Sequence, residues 1–220
     1  YIESFFVYFI CLYLAVKFAK LIKANEKISL LIYFWHTLFC IIYINYAIAN
    51  NLDAIGYFLV SKNLENFSLY ATGFVRSFTS IFSKYLSLNL VSCFFIFNLI
   101  GSLGQILFYK NIEPFIKQIK SNLKYLFLLS VWLPSIHFWT SPIGKDSLIY
   151  FFINLSIYCL YKLNKRFLLL LPSLICISLI RPYIGITIFL IALIDDFFTV
   201  LKKQKPSYVK NANPILKDNT

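Results

Sequence analysis

The chain has 220 residues, 60% of them hydrophobic and 20% aromatic against 14% charged, with 21 Lys and Arg and a net charge of +12. That apolar fraction exceeds what one soluble core of this size hides, which excludes an ordinary water-soluble domain and makes lipid the expected solvent. The basic residues punctuate apolar runs and do not gather on one polar face, which argues against a nucleic-acid partner.

Seven runs approach the roughly 20 apolar residues that a helix needs to cross a bilayer. They are 4–22, 28–49, 85–109, 122–139, 147–163, 167–181 and 183–201, and each is expected to be helical because an open strand would leave backbone groups unsatisfied in lipid. The predicted fold is an all-α, polytopic bundle of about seven spans occupying residues 1–201. The first run reads as a retained span, since Lys17, Lys20 and Lys23 follow it and no small-residue cleavage site does. The start at Tyr1 and the absence of Met make the sequence read as a fragment or a processed chain.

After the second run comes the longest stretch outside the spans, 50–84. Its second half repeats Leu64, Phe67, Ala71, Phe74, Phe78 and Ile81 at steps of three or four, while Glu65, Ser68, Thr72, Arg76 and Ser83 fill other positions. This predicts an amphipathic interfacial helix lying along the outer surface against the other helices. The third run contains Gly101-Ser102-Leu103-Gly104, a close-packing patch and not a nucleotide loop, because no strand precedes it. The sixth run is short and holds Pro172, so it is expected to be kinked, tilted or partly re-entrant, and it is the one candidate for an unwound span. The five cysteines, Cys11, Cys40, Cys93, Cys159 and Cys176, all lie inside apolar runs without a Cys-x-x-Cys pair and read as packing residues.

The charges orient the bundle, because cytoplasmic loops carry the excess of Lys and Arg. Lys17, Lys20, Lys23 and Lys27 follow the first run; Lys110, Lys117, Lys120 and Lys124 follow the third; Lys162, Lys165 and Arg166 follow the fifth; Lys202, Lys203, Lys205, Lys210 and Lys217 form the tail 202–220. All of these fall on one side when the chain turns as a hairpin at Arg181-Pro182-Tyr183, leaving Lys62, Arg76, Lys84, Lys145 and Arg181 on the other. The expectation is an amino terminus outside and a basic tail, mobile or truncated, in the cytoplasm.

On that outer side three separated stretches carry the unusual polar residues. Asp53 and Tyr57 follow the second run, Trp139, Lys145 and Asp146 lie between the fourth and fifth, and Arg181 and Tyr183 form the last turn. Each has a plainer reading. Asp53 could cap a helix at the interface, Lys145-Asp146 could be a solvated pair starting the fifth helix, and Arg181-Pro182 could be a turn device, although Arg at an apolar hairpin is a costly choice. Trp139 and Tyr183 fit an aromatic belt. His36 and His137 read as hydrogen-bonded packing residues, since no second His or acidic residue stands at metal spacing.

The run Leu133 to Asp146, ending Phe-Trp-Thr-Ser-Pro-Ile-Gly-Lys-Asp, followed by a span, basic residues, another span and Arg-Pro-Tyr, resembles bacterial multispan proteins of envelope-polysaccharide synthesis. These are GT-C type glycosyltransferases and related repeat-unit polymerases. Asp53 followed by Tyr57 looks like the acidic first-loop motif of GT-C enzymes, and the resemblance extends over about 50–190. The chain has Asp146 where the pattern more often has Glu, and one carboxylate, Asp53, where many GT-C enzymes have two adjacent ones. No cofactor is therefore indicated, and a divalent metal stays open.

The resemblance implies a bacterial inner-membrane protein acting on a polyprenyl-phosphate-linked saccharide at the outer face. Asp53 would be the catalytic base, and Tyr57, Lys145, Asp146, Arg181, Trp139 and Tyr183 would bind substrate, Asp146 by orienting Lys145. The alternatives are a transporter or flippase for lipid-linked or anionic substrates, which would need mid-depth ionisable groups or broken helices, and a non-catalytic membrane scaffold. The partners expected are membrane lipid and the lipid-linked sugar, without nucleic acid, and the oligomeric state stays open.

Overall fold

The computed structural model describes residues 2–119, 123–160 and 163–204, and for 163–167 and 195–204 the backbone alone. In chain order the helices are α1 Ile2–Leu21, α2 Glu26–Asn50, α3 Asp53–Lys62, α4 Ala71–Ser80 running into a π-helical turn Ile81–Tyr85, α5 Leu90–Gln118, α6 Leu123–Val131, α7 Pro134–Thr140, α8 Lys145–Leu160, α9 Leu163–Ile180 and α10 Pro182–Gln204. No strand occurs among the described residues. By length and composition α1, α2 and α5 can each cross a membrane, and α9 and α10 contain shorter apolar stretches, Leu168–Ile180 and Pro182–Ile194.

Local chemistry sets the ends of these helices. Asn25 caps α2 by accepting from the backbone N–H of Lys27 and Ile28 at 3.1 and 3.2 Å, and Asn51 closes it in the left-handed conformation at φ 50°. Asn89 caps α5 by accepting from Ser92 N at 2.9 Å, while its own N–H donates to the Glu3 carboxylate at 3.0 Å, which ties the start of α1 to the start of α5.

The bundle is built around α5, which packs against α1, α2 and α8 and buries Cys93, Phe94, Phe97, Ile106 and Leu107 completely. Close approach needs its glycines. A methyl at Gly101 would stand 2.0 Å from the Thr140 carbonyl oxygen and 2.6 Å from His36 Nε2, and one at Gly104 would meet the Phe151 backbone at 3.0 Å. Outward-facing Phe5, Phe9, Leu14, Ile41, Ile42, Phe189 and Leu190 are about half exposed, a belt of apolar side chains on the outside of the bundle.

The run 122–139 is two short helices and not one continuous helix. It breaks at Trp132-Leu133 ahead of Pro134, whose missing N–H and ring make it a helix start and disfavour helix in the residue before it. The carbonyls freed by the break are collected by side chains: Val131 O accepts from Gln105 Nε2 at 2.6 Å and from His137 Nε2 at 2.9 Å, and Trp132 O accepts from Trp35 Nε1 at 3.2 Å. Gln105 is itself held by the Tyr150 hydroxyl. Irregular backbone whose carbonyls are satisfied by side chains in this way is the form that a low-dielectric interior tolerates.

Two further expectations are adjusted. The helix read over 64–83 starts at Ala71, and the stretch before it contains an unforeseen helix, α3, that opens at Asp53. Pro172 lies within α9 and leaves it continuous, so the unwound segment is Trp132-Leu133 instead. At Arg181 the chain turns sharply. Gly185 of α10 sits against Ser178 of α9, a seven-residue pair that one continuous helix would hold about two turns apart. The tail beyond Gln204, Lys120 and Lys162 lie outside the described residues, as do the side chains of Lys165, Arg166, Lys202 and Lys203.

Candidate functional site

The bundle has two chemically different ends. At one, Lys20 pairs with Glu26 at 3.4 Å, Lys110 donates to the Lys23 carbonyl at 2.8 Å, and Lys110 and Lys117 both hold Glu113, at 2.8 and 2.7 Å. Towards the other end lie Asp53, Asp146 and Arg181, each at a helix terminus. The core beneath them joins Tyr43 and Ala47 of α2, Ala54 and Phe58 of α3, Val75 of α4, Phe94 and Phe97 of α5, Ile143, Leu148 of α8 and Ile180 of α9.

Asp146 occupies the first turn of α8, where the helix dipole favours a carboxylate, and its Oδ1 accepts from Arg181 Nη2 at 2.9 Å. Arg181 Nη1 also donates to the Tyr183 hydroxyl at 3.4 Å. The pair is 36% and 53% exposed at its two side chains, so it contributes at most about 1 kcal/mol to stability in water. Its geometry serves placement more than stability. Asp146 therefore faces Arg181 and does not orient Lys145, which makes no ion pair or hydrogen bond with a described residue.

Asp53 sits in the first turn of α3 behind Leu52, which provides no side-chain cap, and Asp53 makes no hydrogen bond with a described residue. Tyr57 lies one turn further on the same face. Its phenol is pushed above the ordinary tyrosine range, first by burial, then by the Asp53 and Asp146 carboxylates, with Arg76 and Arg181 acting in the opposite sense. Charged groups on α3, α4, α8 and the α9–α10 turn thus act electrostatically on one hydroxyl. Gly56 is in open space, so the helix face beside Asp53 is uncrowded. Trp139 and Tyr183 are 53% and 63% exposed, and Trp139 stands edge-on to Tyr43 at 6.1 Å between ring centres.

The site is recessed. Gly104 of α5 packs on Tyr150 and Phe151 of α8, and further down Asn111 donates to the Asn154 carbonyl at 3.0 Å, so the two helices run in the same direction. Following both back towards their starts puts Lys145 and Asp146 level with Asn98 and Leu99, roughly 12 Å below the start of α5. The turn Ser141, Pro142 and Ile143, read from the sequence as an outer loop, is accordingly buried.

Just below that level lies a second polar centre. His36 and His137, fully buried, meet through their Nδ1 atoms at 2.8 Å. Val131 O can only accept, so the neutral His137 carries its proton on Nε2 and accepts at Nδ1 from His36. His36 Nε2 then has no donor among the described residues, and neither does Asn98 Oδ1, whose amide nitrogen donates to Thr37 Oγ1 at 2.9 Å. Sequence reading found hydrogen-bonded packing histidines but not their pairing, because nothing in the spacing of residues 36 and 137 announces contact.

Arg76 was also missed as a member of the cluster. A signal for it existed: the chain has three arginines, Arg76, Arg166 and Arg181, among 21 basic residues, so arginine is an uncommon choice here. No group of three or more His, Cys, Asp or Glu side chains that could hold a metal occurs among the described residues. No family model, curated protein or solved structure matches the chain, so the geometry and the sequence motifs carry the functional reading.

Proposed function

We propose that the chain is a membrane-embedded glycosyltransferase or polysaccharide repeat-unit polymerase that takes its sugar from a polyprenyl-phosphate or diphosphate carrier. In this reading it crosses a bacterial plasma membrane about seven times. The Asp53, Asp146 and Arg181 end faces outward, and the lysine-rich end and the tail 202–220 face the cytoplasm. The observation that supports it most is a carboxylate without a hydrogen-bond partner among the described residues, Asp53, and an ion-paired arginine, Arg181, whose charges both act on the same phenol, Tyr57. The resemblance of the Leu133–Asp146 and Arg181–Tyr183 segments to GT-C enzymes and repeat-unit polymerases adds to it.

The chemistry follows from the groups present. The acceptor hydroxyl oxygen attacks the anomeric carbon, and the bond from that carbon to the phosphate oxygen breaks. The hydroxyl proton passes to Asp53, which needs hydrogen-bond reach of roughly 2.6–3.2 Å once substrate is bound. The phosphate leaves with the bonding pair, and Arg181 holds it through parallel N–H donors, with Lys145 adding charge. Asp146 keeps the guanidinium aimed, and Trp139 and Tyr183 offer flat faces to sugar rings. Asp53→Asn and Arg181→Ala are expected to abolish sugar transfer in a complementation or in vitro assay with normal insertion. Full activity in both removes the proposal.

A transporter or flippase is the second reading, and a specific observation favours it. The α6–α7 break and the buried His36–His137 pair supply the unwound segment and the ionisable groups at depth that such a protein uses. His36→Leu separates the two: it stops lipid-linked substrate movement in vesicles if the chain transports, and leaves sugar transfer in place if the chain is an enzyme.

A further inference from the structure

The His36–His137 pair is one hydrogen short of satisfying its surroundings. Outward from the ring-to-ring contact, 2.8 Å between Nδ1 atoms, each ring turns its second nitrogen towards a backbone carbonyl. His137 Nε2 meets Val131 O at 2.9 Å. His36 Nε2 and Thr140 O converge over Gly101, where an added methyl would stand 2.6 Å from the one and 2.0 Å from the other. A carbonyl oxygen only accepts, so a line from Val131 O through the ring nitrogens to Thr140 O needs three hydrogens, one for each contact. Two neutral imidazoles carry two. The shortfall falls at the end of the line. His36 Nε2 has no donor among the described residues, and Asn98 Oδ1, one turn before Gly101 on the same face of α5, is a second buried acceptor without one. His36 is 0% exposed, which leaves no room beside it for a water, so the hydrogen that completes the line has to arrive as a proton alone.

We infer that His36 and His137 form a proton-binding site that takes up one proton as a unit and holds it as a shared cation between α2 and α7. The proton adds to the lone pair of His36 Nε2, no bond in either ring breaks, and the charge spreads over both imidazoles through the Nδ1 contact. All three hydrogen bonds are then made, and the charge strengthens them. Thr140 is the last residue of α7, where helix carbonyls lack internal partners and carry the partial negative charge that favours a cation. The titratable groups around the pair are Tyr33 and Cys40 on the adjacent turns of α2, with Cys11 of α1 behind Tyr33, and Tyr150 of α8, which reaches Val131 O through Gln105. From α5, α6 and α7 come amides and carbonyls. No carboxylate, lysine or arginine among the described residues acts on either ring. The cation is therefore held by carbonyls without a counter-ion, and a second proton would set two imidazoliums against each other across the same 2.8 Å contact. Loading ties Val131, just before α7, and Thr140, at its end, to α2, and so fixes the buried turn Ser141 to Ile143 that leads to Asp146. The proton site rests on this geometry and not on sugar transfer.

The chain has two histidines, so ring-labelled histidine reports this pair and nothing else. Nitrogen NMR of the full chain in lipid nanodiscs, titrated between about pH 4 and 8, counts the ring nitrogens that carry hydrogen. The expected result is a single step from two to three, both rings changing together at one midpoint, with the fourth nitrogen bare for as long as the chain is folded. His36→Gln removes the nitrogen that receives the proton, and the remaining ring is expected to keep its single hydrogen on Nε2 across the range. Two separate steps that end with all four nitrogens protonated in the folded chain overturn the shared site, and so does a wild-type count that stays at two. A one-proton step that survives in His36→Gln, folded by thermal melting, overturns it as well. If that variant does not fold, the wild-type titration decides alone. A chain that transfers sugar while its pair stays at two loses this site and keeps the glycosyl-transfer reading. A pair that loads in a chain that transfers no sugar does the reverse.

Discussion

The side chains of the candidate site are arranged for positioning, and their energetics differ accordingly. The Asp146–Arg181 pair is half exposed, so Asp146→Asn is expected to lower unfolding stability by no more than about 1 kcal/mol while misaiming Arg181. Thermal melting of Asp146→Asn beside the transfer assay reads both: a melt near wild type with activity gone is the expected result, and activity retained contradicts the positioning role. Tyr57 reports the field directly. Burial raises its phenol first and the carboxylates next, while Arg76 and Arg181 oppose them. Asp53→Asn is therefore expected to bring the Tyr57 titration down and Arg76→Ala to push it further up. Ring-labelled tyrosine NMR, assigned with Tyr57→Phe, checks both signs; a shift of the opposite sign in either variant means that the group does not face the phenol. At this scale Asp53, Asp146 and Arg181 were legible because charge is scarce and conspicuous in a chain that is 14% charged. The His36–His137 contact was not, since 101 residues separate partners that only tertiary packing joins.

Among the helices, glycine separates close packing from open surface. Gly101→Ala drives a methyl into the Thr140 carbonyl and His36 and is expected to cost about 1–3 kcal/mol, with α5, α7 and α2 all having to shift. Gly56→Ala meets nothing and is expected to stabilise α3 by up to about 1 kcal/mol through helix propensity alone. Denaturation of the two variants in the same detergent checks the contrast, and equal effects would contradict the packing described. Hydropathy found α1, α2 and α5 because each is a long run with charges at its ends. It did not register the interruption within 122–139, since a window average passes over a two-residue break. It placed the helix of the 50–84 stretch too early, where Leu64 and Phe67 continue the period but precede the left-handed residue Ala71, φ 50°, at which α4 begins. The periodicity said nothing of α3, whose ten residues hold apolar side chains on more than one face.

For the molecule as a whole, two ends of opposite character are joined by an apolar bundle whose outer face carries half-exposed Phe, Leu and Ile. Helices α8, α9 and α10 start or turn below the level at which α5 begins, and α3 and α4 lie beside the recess that this leaves. That offset explains how a loop that the sequence placed outside, Ser141 to Ile143, is buried, and why Asp146 and Arg181 meet there. Single-cysteine labelling with a membrane-impermeant thiol reagent, in a background with the five native cysteines replaced, tests the central claim most directly. Cysteines at 53, 146 and 181 are expected to react from one side of the membrane, and cysteines at 20 and 117 from the other. Reaction at 53, 146 or 181 from the side that labels 117 would contradict the account.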